Sequence, residues 1–138
     1  MMSVTSPDSG WKVAVAGECM ISRSFSEHDE PVFLKIKEIM DAADVCYGHL
    51  ETNFGDFTTA PSRGDCVDSY LMADPEIASE LHWLGIDLMS AANNHSFDFG
   101  TQGIMDTIRN CQAGKLAVAG TGRDLEEAGR SLAVPSGL

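Results

Sequence analysis

Polar side chains that can bind a metal or move a proton follow a short apolar stretch near the middle of the chain. Directly behind the apolar run of residues 86–92 come Asn93, Asn94, His95 and Asp98. A run of this kind, bounded by glycine and a polar cluster, indicates a buried strand of a parallel sheet. Functional crevices of open α/β sheets lie at the carboxyl ends of the strands, where these side chains would stand. They can ligate a metal, donate to an oxyanion or transfer a proton.

A purely structural role is open for the same residues. Asn and Asp are common in turns, and a strand-to-helix turn needs such residues. Asp98 could equally cap a helix that begins near Thr101. The functional interpretation is favoured by the strand-then-turn order and by two earlier strand ends that carry similar side chains.

Those two earlier strands also lead to acidic or imidazole groups. The first, residues 11–16, leads to Glu18. The second, residues 44–48, leads to His49 and Glu51. Carboxylate oxygens and imidazole nitrogens drawn from several rigid elements suit a divalent ion. Two such ions could bind the attacking oxygen and the leaving oxygen of a hydrolysis reaction. Taken singly, Glu18 could cap a neighbouring helix and His49 could be a core or edge histidine.

Helices are predicted between the strands. Pro31 and Pro75 each follow an acidic residue, which is typical of a helix start. Three helices are predicted, over residues 31–43, 74–84 and 101–113. A fourth strand over residues 116–120 completes the order β-α-β-α-β-α-β. This order predicts an α/β fold, with a mostly parallel sheet, right-handed crossovers and helices packed on the sheet.

Further predictions concern the packing and the remaining segments. The first helix is expected to bury an apolar stripe at helical spacing, made of Phe33, Ile36, Ile39, Met40 and Ala43. The other segments are a disordered leader over residues 1–10, one long loop over 54–70, a helical turn over 124–128 and the start of a fifth strand at 132–134. A loop of that length inside a domain is either functional or disordered.

The composition is that of one globular domain with an acidic surface. The chain has 138 residues, of which 43% are hydrophobic, enough for a buried core. Nine Lys and Arg against 21 Asp and Glu give a net charge of −12, which disfavours nucleic acid and membrane surfaces as partners. No signal peptide or membrane-spanning run is visible. Cys19, Cys46 and Cys111 fall in apolar patterns typical of core residues, and a cytoplasmic location is predicted.

Four segments of the chain carry a family resemblance. They are Val15–Arg23, Ala43–Thr52, Gly85–Gly100, and Ala119–Gly122 together with Glu127-Ala128; the third is the most specific. In them the chain resembles the CapA group of poly-γ-glutamate capsule proteins, whose fold is similar to that of the calcineurin-type metallophosphoesterases. The resemblance implies that residues 11–138 are the N-terminal part of such a domain, half of a metallophosphoesterase-like sandwich.

The resemblance also implies a ligand set for one or two divalent ions of the Mn, Fe or Zn type. Glu18, Glu51 and Asn94 would be ligands, with His49 as a further candidate. Glu18 and His49 stand where the family usually has Asp and Asn, and both changes keep groups that can bind a metal. The later histidine ligands of the family lie beyond Leu138, which would leave a sheet edge open to a second copy or a partner chain.

Catalytic and substrate-binding residues are predicted at the same strand ends. By resemblance His95 would be the catalytic acid or the transition-state stabiliser, and we predict Asp98 as a second catalytic residue. Arg23 and Asn93 are the predicted substrate-binding residues. An arginine beside an anionic crevice is a natural clamp for carboxylate or phosphate, although Arg23 could also be a plain surface charge.

The leading functional hypothesis is a metal-dependent hydrolase of phosphoester or peptide-like γ-glutamyl amide bonds, with a small or peptide-like anionic substrate. Metal-assisted epimerisation of an amino-acid centre is a variant of it. The alternative is a catalytically incomplete half-domain that associates with itself or with a partner chain. A nucleotide-binding domain is disfavoured because Gly17-Glu18-Cys19, rather than a glycine-rich phosphate loop, follows the first strand.

Overall fold

Strands and helices alternate along the chain as predicted. The computed structural model describes residues 2–4, 10–62 and 69–133. Within these residues the strands are β1 Met2–Val4, β2 Val13–Cys19, β3 Val45–Leu50, β4 Asn53–Phe54, β5 Met72–Ala73, β6 Leu88–Ser90 and β7 Ala117–Ala119. The helices are α1 Pro31–Asp41, α2 Ile77–Trp83, α3 Gly100–Ala113 and α4 Leu125–Ala128. None of these helices is long and apolar enough to cross a membrane.

The main sheet has the order β1-β2-β3-β6-β7. Strands β2, β3, β6 and β7 are parallel, and β1 joins β2 antiparallel. The predicted mostly parallel α/β fold is therefore confirmed. Each crossover moves to the next strand in the same direction. Residues of α1, α2 and α3 share one core with the sheet, so the three helices lie on one face of it; the right-handed connections stay a prediction.

Burial along β3 shows the two faces of the sheet. Cys46, Gly48 and Leu50 are buried, whereas Val45, Tyr47 and His49 alternate with them and are half-buried. The inward set packs into a core with residues of α1, α2, β6 and α3, among them Met40, Leu81, Met89 and Cys111. His49 therefore projects from the face opposite to that core.

The three cysteines predicted in the core are buried there with free thiols. Burial raises the pKa of the Cys111 thiol to about 12. Burial also raises that of Cys46 to about 11, with help from the nearby Asp87 and Asp41 carboxylates. Both thiols therefore stay protonated and unreactive at neutral pH.

The first helix packs differently from the prediction. Met40 is buried and Phe33 is half-buried, but Ile36 and Ile39 are 39% and 46% exposed. The prediction that both isoleucines are buried is wrong because the helix is oriented by contacts on another side. Phe33 stacks on Trp83 of α2, with ring centroids 6.2 Å apart, and this contact turns the isoleucines toward solvent.

Three predicted segments differ from what is found. The leader is not irregular throughout, because Met2–Val4 form β1 on the edge of β2; residues 1 and 5–9 lie outside the described part. The loop over 54–70 is bounded by two short strands, β4 and β5, that pair with each other. Residues 63–68 lie outside the description. Residues 131–133 are irregular, so no fifth strand starts at residue 132; residue 134 is not described.

The contact between α2 and α3 leaves no room for a side chain at Gly114. A methyl group there would lie 2.6 Å from Ala78 Cβ and 2.7 Å from the Ala78 carbonyl carbon. We expect Gly114→Ala to lower the free energy of unfolding by about 1–3 kcal/mol, because α3 must move away from α2. Urea unfolding followed by circular dichroism measures this. The control is Gly17→Ala, where a methyl group would meet no atom within 4 Å; equal stability losses would contradict the steric explanation.

Candidate metal and proton-transfer site

His95 and Asp98 form a buried pair in the turn between β6 and α3. His95 Nδ1 lies 2.9 Å from Asp98 Oδ2. The same carboxylate oxygen accepts a hydrogen bond of 2.7 Å from the Leu71 main-chain N–H. A carboxylate can only accept hydrogen bonds, so His95 Nδ1 carries the proton and Nε2 is the nitrogen that can gain or lose one.

Asp98 does not cap the following helix. The residue before α3 is Phe99, and no side chain caps that helix end. The Asp98 side chain is 1% exposed and turns inward to His95 and Leu71. The alternative that Asp98 serves only as a helix cap is therefore wrong. Its carboxylate is placed where it can orient the imidazole, and a catalytic role of Asp98 stays a prediction.

The turn that carries His95 is fixed to the end of β3. Asn93 Nδ2 donates a hydrogen bond of 2.6 Å to the Leu50 carbonyl oxygen, and Asn93 Oδ1 accepts one of 2.9 Å from the His95 main-chain N–H. Asn53 Nδ2 donates to the His95 carbonyl oxygen at 2.7 Å. Leu50 and Asn53 flank Glu51 and Thr52 in sequence, so the imidazole-bearing turn is tied to the chain on both sides of Glu51.

Glu51 and His49 form the second pair of the site. His49 Nε2 lies 3.3 Å from Glu51 Oε2, and the Glu51 side chain is 9% exposed. Glu51 Oε2 is buried and forms no hydrogen bond with the described residues, because the His49 contact has the distance of an ion pair but not the geometry of a hydrogen bond. Burial of a carboxylate oxygen without a hydrogen bond or a cation is costly. An atom of this kind is expected where a cation binds.

The remaining predicted residues lie at or after the ends of these strands in the chain. A register shift between Val15 and Glu18 places Glu18 opposite His49 on neighbouring strands, and the Glu18 side chain is exposed. Asn94 is exposed in the turn beside His95. Arg23 is exposed in the segment after β2. Asn93 is used in holding the turn, although substrate binding by it stays a prediction.

The described residues fit a metal in part. His49 Nε2 and the neighbouring Glu51 oxygen are two donors of the type that Mn, Fe and Zn accept. Across residues 10–62 and 69–133, however, no three His, Cys, Asp or Glu side chains converge as a metal-binding group. The pair can therefore begin a coordination sphere, and additional ligands such as Asn94 or groups outside the described residues would have to complete it.

Reasoning from the sequence missed three residues that position other parts of the site: Asn53, Ser62 and Glu80. Asn53 and Ser62 hold the turn from the segment around β4, Ser62 through its hydroxyl group to the Phe97 and Asp98 carbonyl oxygens. Glu80 of α2 holds the segment that follows Arg23. Their side chains form hydrogen bonds with residues more than thirty positions away in sequence. A local sequence pattern therefore cannot predict these contacts.

Glu80 is the acceptor for four hydrogen bonds from residues 24–26. The donors are Ser24 Oγ at 2.8 Å, Phe25 N at 2.9 Å, Ser26 N at 2.6 Å and Ser26 Oγ at 2.8 Å. Partial burial by itself would raise the pKa of the Glu80 carboxyl. The hydrogen bonds from the Phe25, Ser26 and Ser24 donors outweigh burial and lower this pKa to about 2.

The lowered pKa predicts a pH dependence of stability. The folded-state pKa of Glu80 is below its ordinary value of 4.5, so its stabilising contribution is complete above that value and is lost as pH falls toward about 2. Between about pH 5 and pH 2.5 the parent should therefore lose more unfolding free energy than Glu80→Gln. Urea titrations at both pH values measure the difference. Glu76→Gln, at the exposed residue directly before the same helix, should behave like the parent; identical pH slopes in all three proteins would contradict the assignment.

Comparison with known proteins gives the family. The family model described as "Bacterial capsule synthesis protein PGA_cap" matches residues 12–137. The uncharacterized protein y4sH of Sinorhizobium fredii is 32% identical over 122 residues, which are 86% of this chain and 26% of that protein. A probable polyglutamine synthesis accessory protein of Mycobacterium tuberculosis is 34% identical over 97 residues, 70% of this chain and 24% of that protein.

A further relative bears the name that the sequence segments indicated. The PGA biosynthesis protein CapA of Bacillus subtilis is 24% identical over 133 residues, 93% of this chain and 34% of that protein. This chain thus spans about a quarter to a third of the length of these relatives. The resemblance to the CapA group is confirmed. Since the family model matches nearly the whole chain, the protein belongs to the PGA_cap family of bacterial capsule synthesis proteins.

Proposed function

We propose that this chain provides the proton donor and the first metal ligands of a metal-dependent hydrolase that acts on anionic γ-glutamyl polymers or on phosphoesters. One observation carries the proposal. The buried His95–Asp98 pair is tied, through Asn93 and Leu50, to the chain beside the buried Glu51 carboxylate, whose Oε2 forms no hydrogen bond with the described residues and lies next to the His49 imidazole. A proton donor is thereby held next to a site prepared for positive charge. The named role of the Bacillus subtilis relative in PGA biosynthesis supports the polymer as substrate.

His95 would act as the general acid for the leaving group. Asp98 fixes the orientation and tautomer of the ring through Nδ1, so that the proton is transferred at Nε2. The Leu71 N–H holds the carboxylate in place while this happens. Asn93 holds the turn against the end of β3 by its hydrogen bond to Leu50. This matters for catalysis because a shift of about 1 Å would move the proton donor out of reach of the leaving atom.

His49 and Glu51 would hold the metal, with Glu18 and Asn94 as further predicted ligands. A divalent cation there would act as a Lewis acid and lower the pKa of a water molecule that attacks the substrate. Positive charge has an additional purpose in this protein. A chain with net charge −12 repels an anionic polymer. Substrate binding therefore needs a cation at the site, and Arg23 would contribute a second positive group.

Metal content tests the proposal directly. Protein purified without chelator is loaded with Mn²⁺ or Zn²⁺, desalted and assayed by elemental analysis. We expect near-stoichiometric metal in the parent and a loss of at least about tenfold in affinity for Glu51→Gln and His49→Ala, because each removes one ligand. His82→Ala, at an exposed histidine of α2, is the matched control and should retain metal. Equal metal content in all four proteins would place the metal elsewhere.

A second candidate function follows from the incomplete ligand set. If the parent binds no metal, the chain would act as a non-catalytic part that associates with a second copy or with a partner chain. One observation supports this non-catalytic role: within the described residues, no three acidic, cysteine or histidine side chains converge to form a metal site. Among the described residues, strand β7 pairs with β6 along one side only, and its other side would be available for strand addition. Sedimentation of the parent over a range of concentrations measures self-association.

A further inference from the structure

We propose that Glu80 is a positioning residue that holds the loop between β2 and α1 in one conformation and so fixes Arg23 as an anion-binding arm at the carboxyl edge of the sheet. The holding of the loop stands on geometry alone. The anion-binding role of Arg23 rests on the function proposed above. The two parts are tested by separate measurements.

The Glu80 carboxylate binds the loop with both of its oxygens. Oε1 accepts from the hydroxyl groups of Ser24 and Ser26, and Oε2 accepts from the main-chain N–H groups of Phe25 and Ser26. An irregular loop usually satisfies its N–H groups with water. Here two consecutive N–H groups are satisfied by one charged side chain of a helix, and charge-assisted hydrogen bonds are the stronger kind.

Aromatic packing of Phe25 anchors the same segment a second time. The Phe25 ring lies edge-to-face against Phe33 of α1, at 5.9 Å between centroids, and against Trp83 of α2, at 6.3 Å. Lys37 of α1 lies over the Trp83 ring at 5.1 Å. Residues 24–26 are therefore held to α2 by the hydrogen bonds to Glu80 and, through the Phe25 ring, to both α1 and α2.

Arg23 directly precedes this anchored segment and follows the end of β2. Cys19, the last residue of β2, pairs with Leu50, the residue before Glu51. The segment that carries Arg23 thus leaves the sheet at the edge where Glu51 lies.

The charge of Arg23 is available to a ligand. Each of the other described arginines pairs with a carboxylate: Arg109 with Asp106, Arg123 with Glu127 and Arg130 with Glu126. Arg23 forms no ion pair with any described residue, although the chain has 21 acidic residues. Because its neighbours are held, it can meet a carboxylate or phosphate without first ordering the loop.

Tryptic cleavage after Arg23 tests the holding of the loop without any need for activity. A protease needs the segment to detach, so the native Arg23–Ser24 bond should be cut slowly. We expect Glu80→Gln to accelerate this cut at least about tenfold, because an amide offers one acceptor oxygen in place of two and brings its own donors against the loop. Cleavage after Lys115, which precedes the buried Leu116, reports global unfolding and should not change. Glu76→Gln is the matched control.

A second variant covers the case in which Glu80→Gln is globally unstable. Ser26→Ala removes a single hydroxyl donor to Glu80 and leaves the scissile bond and the helix unchanged. It should accelerate the cut after Arg23 about threefold or more, with the Lys115 cut unaffected. If the Arg23 cut is unchanged in Ser26→Ala and no faster in Glu80→Gln than in Glu76→Gln, Glu80 does not hold the loop.

A double-mutant cycle tests whether Glu80 acts through Arg23. The probe is a short γ-linked glutamate peptide, and its Kd is measured with Mn²⁺ present. Arg23→Ala and Glu80→Gln should each weaken binding several-fold, and the double variant should bind no more weakly than Arg23→Ala alone. If the losses in affinity of the two single variants multiply in the double variant, Glu80 does not act through Arg23. If the parent does not bind the peptide, the proposed substrate fails, and the cleavage rates alone decide on the loop.

Discussion

Replacing His95 by glutamine is expected to lower the turnover of a phosphodiester or γ-glutamyl substrate by about 10²–10⁴-fold. Glutamine keeps a polar group of similar length near Asp98 but cannot deliver a proton to the leaving group. The proposed metal ligands His49 and Glu51 lie on β3 and directly after it, outside the turn, so metal content should stay at the parent level. The measurement is initial rate against pH with metal content assayed in parallel.

The pH profile separates a lost proton donor from a damaged site. Removing a general acid should abolish the decline of kcat/KM on the alkaline side, because that limb reports deprotonation of the donor. His82→Gln, a change at an exposed histidine, should keep both the rate and the profile. A His95→Gln protein with more than half of the parental turnover would show that another group protonates the leaving atom.

The strand ends were predictable because hydrophobic runs and the residues after them are local in sequence. The run of residues 86–92 and the polar cluster behind it led directly to the turn that holds His95, and β6 with its turn is found there. Parallel strands explain why Glu18 and His49 were expected at the same edge, and the register shift after Val15 sets the two side by side. The helices were predicted for the same reason, since Pro31 marks the start of α1.

The contacts within the site could not be predicted from local patterns. Whether Asp98 caps α3 or orients His95 depends on the N–H of Leu71, which is 27 residues away in sequence. Glu80 is an ordinary helix glutamate until the fold places residues 24–26 against it. The exposed side of α1 likewise depends on Trp83, because apolar spacing alone cannot say which part of a wide stripe faces the sheet. The predicted cytoplasmic location stays a prediction.

Asp98→Ala is expected to lower the free energy of unfolding by about 2–4 kcal/mol, the largest stability loss that we predict for a site residue. The change removes the acceptor for two donors at once, the Leu71 N–H and His95 Nδ1. Both would be left without that acceptor, the Leu71 N–H in a partly buried position and the imidazole in a buried one. A cavity would also open at a position that is 1% exposed. Urea unfolding measures the loss.

Asp98→Asn separates shape from charge at the same position. Both donors meet the single oxygen Oδ2, and an amide oxygen placed there could accept both hydrogen bonds. The amide nitrogen would replace Oδ1, which has no hydrogen-bond partner among the described residues. We therefore expect Asp98→Asn to stay within about 1 kcal/mol of the parent, and Asp74→Ala, at an exposed aspartate, to be neutral. Equal losses for Asp98→Asn and Asp98→Ala would mean that the negative charge, rather than the two accepted hydrogen bonds, stabilises the turn. If the turn is stabilised as the geometry indicates, the alanine variant alone should be strongly destabilised.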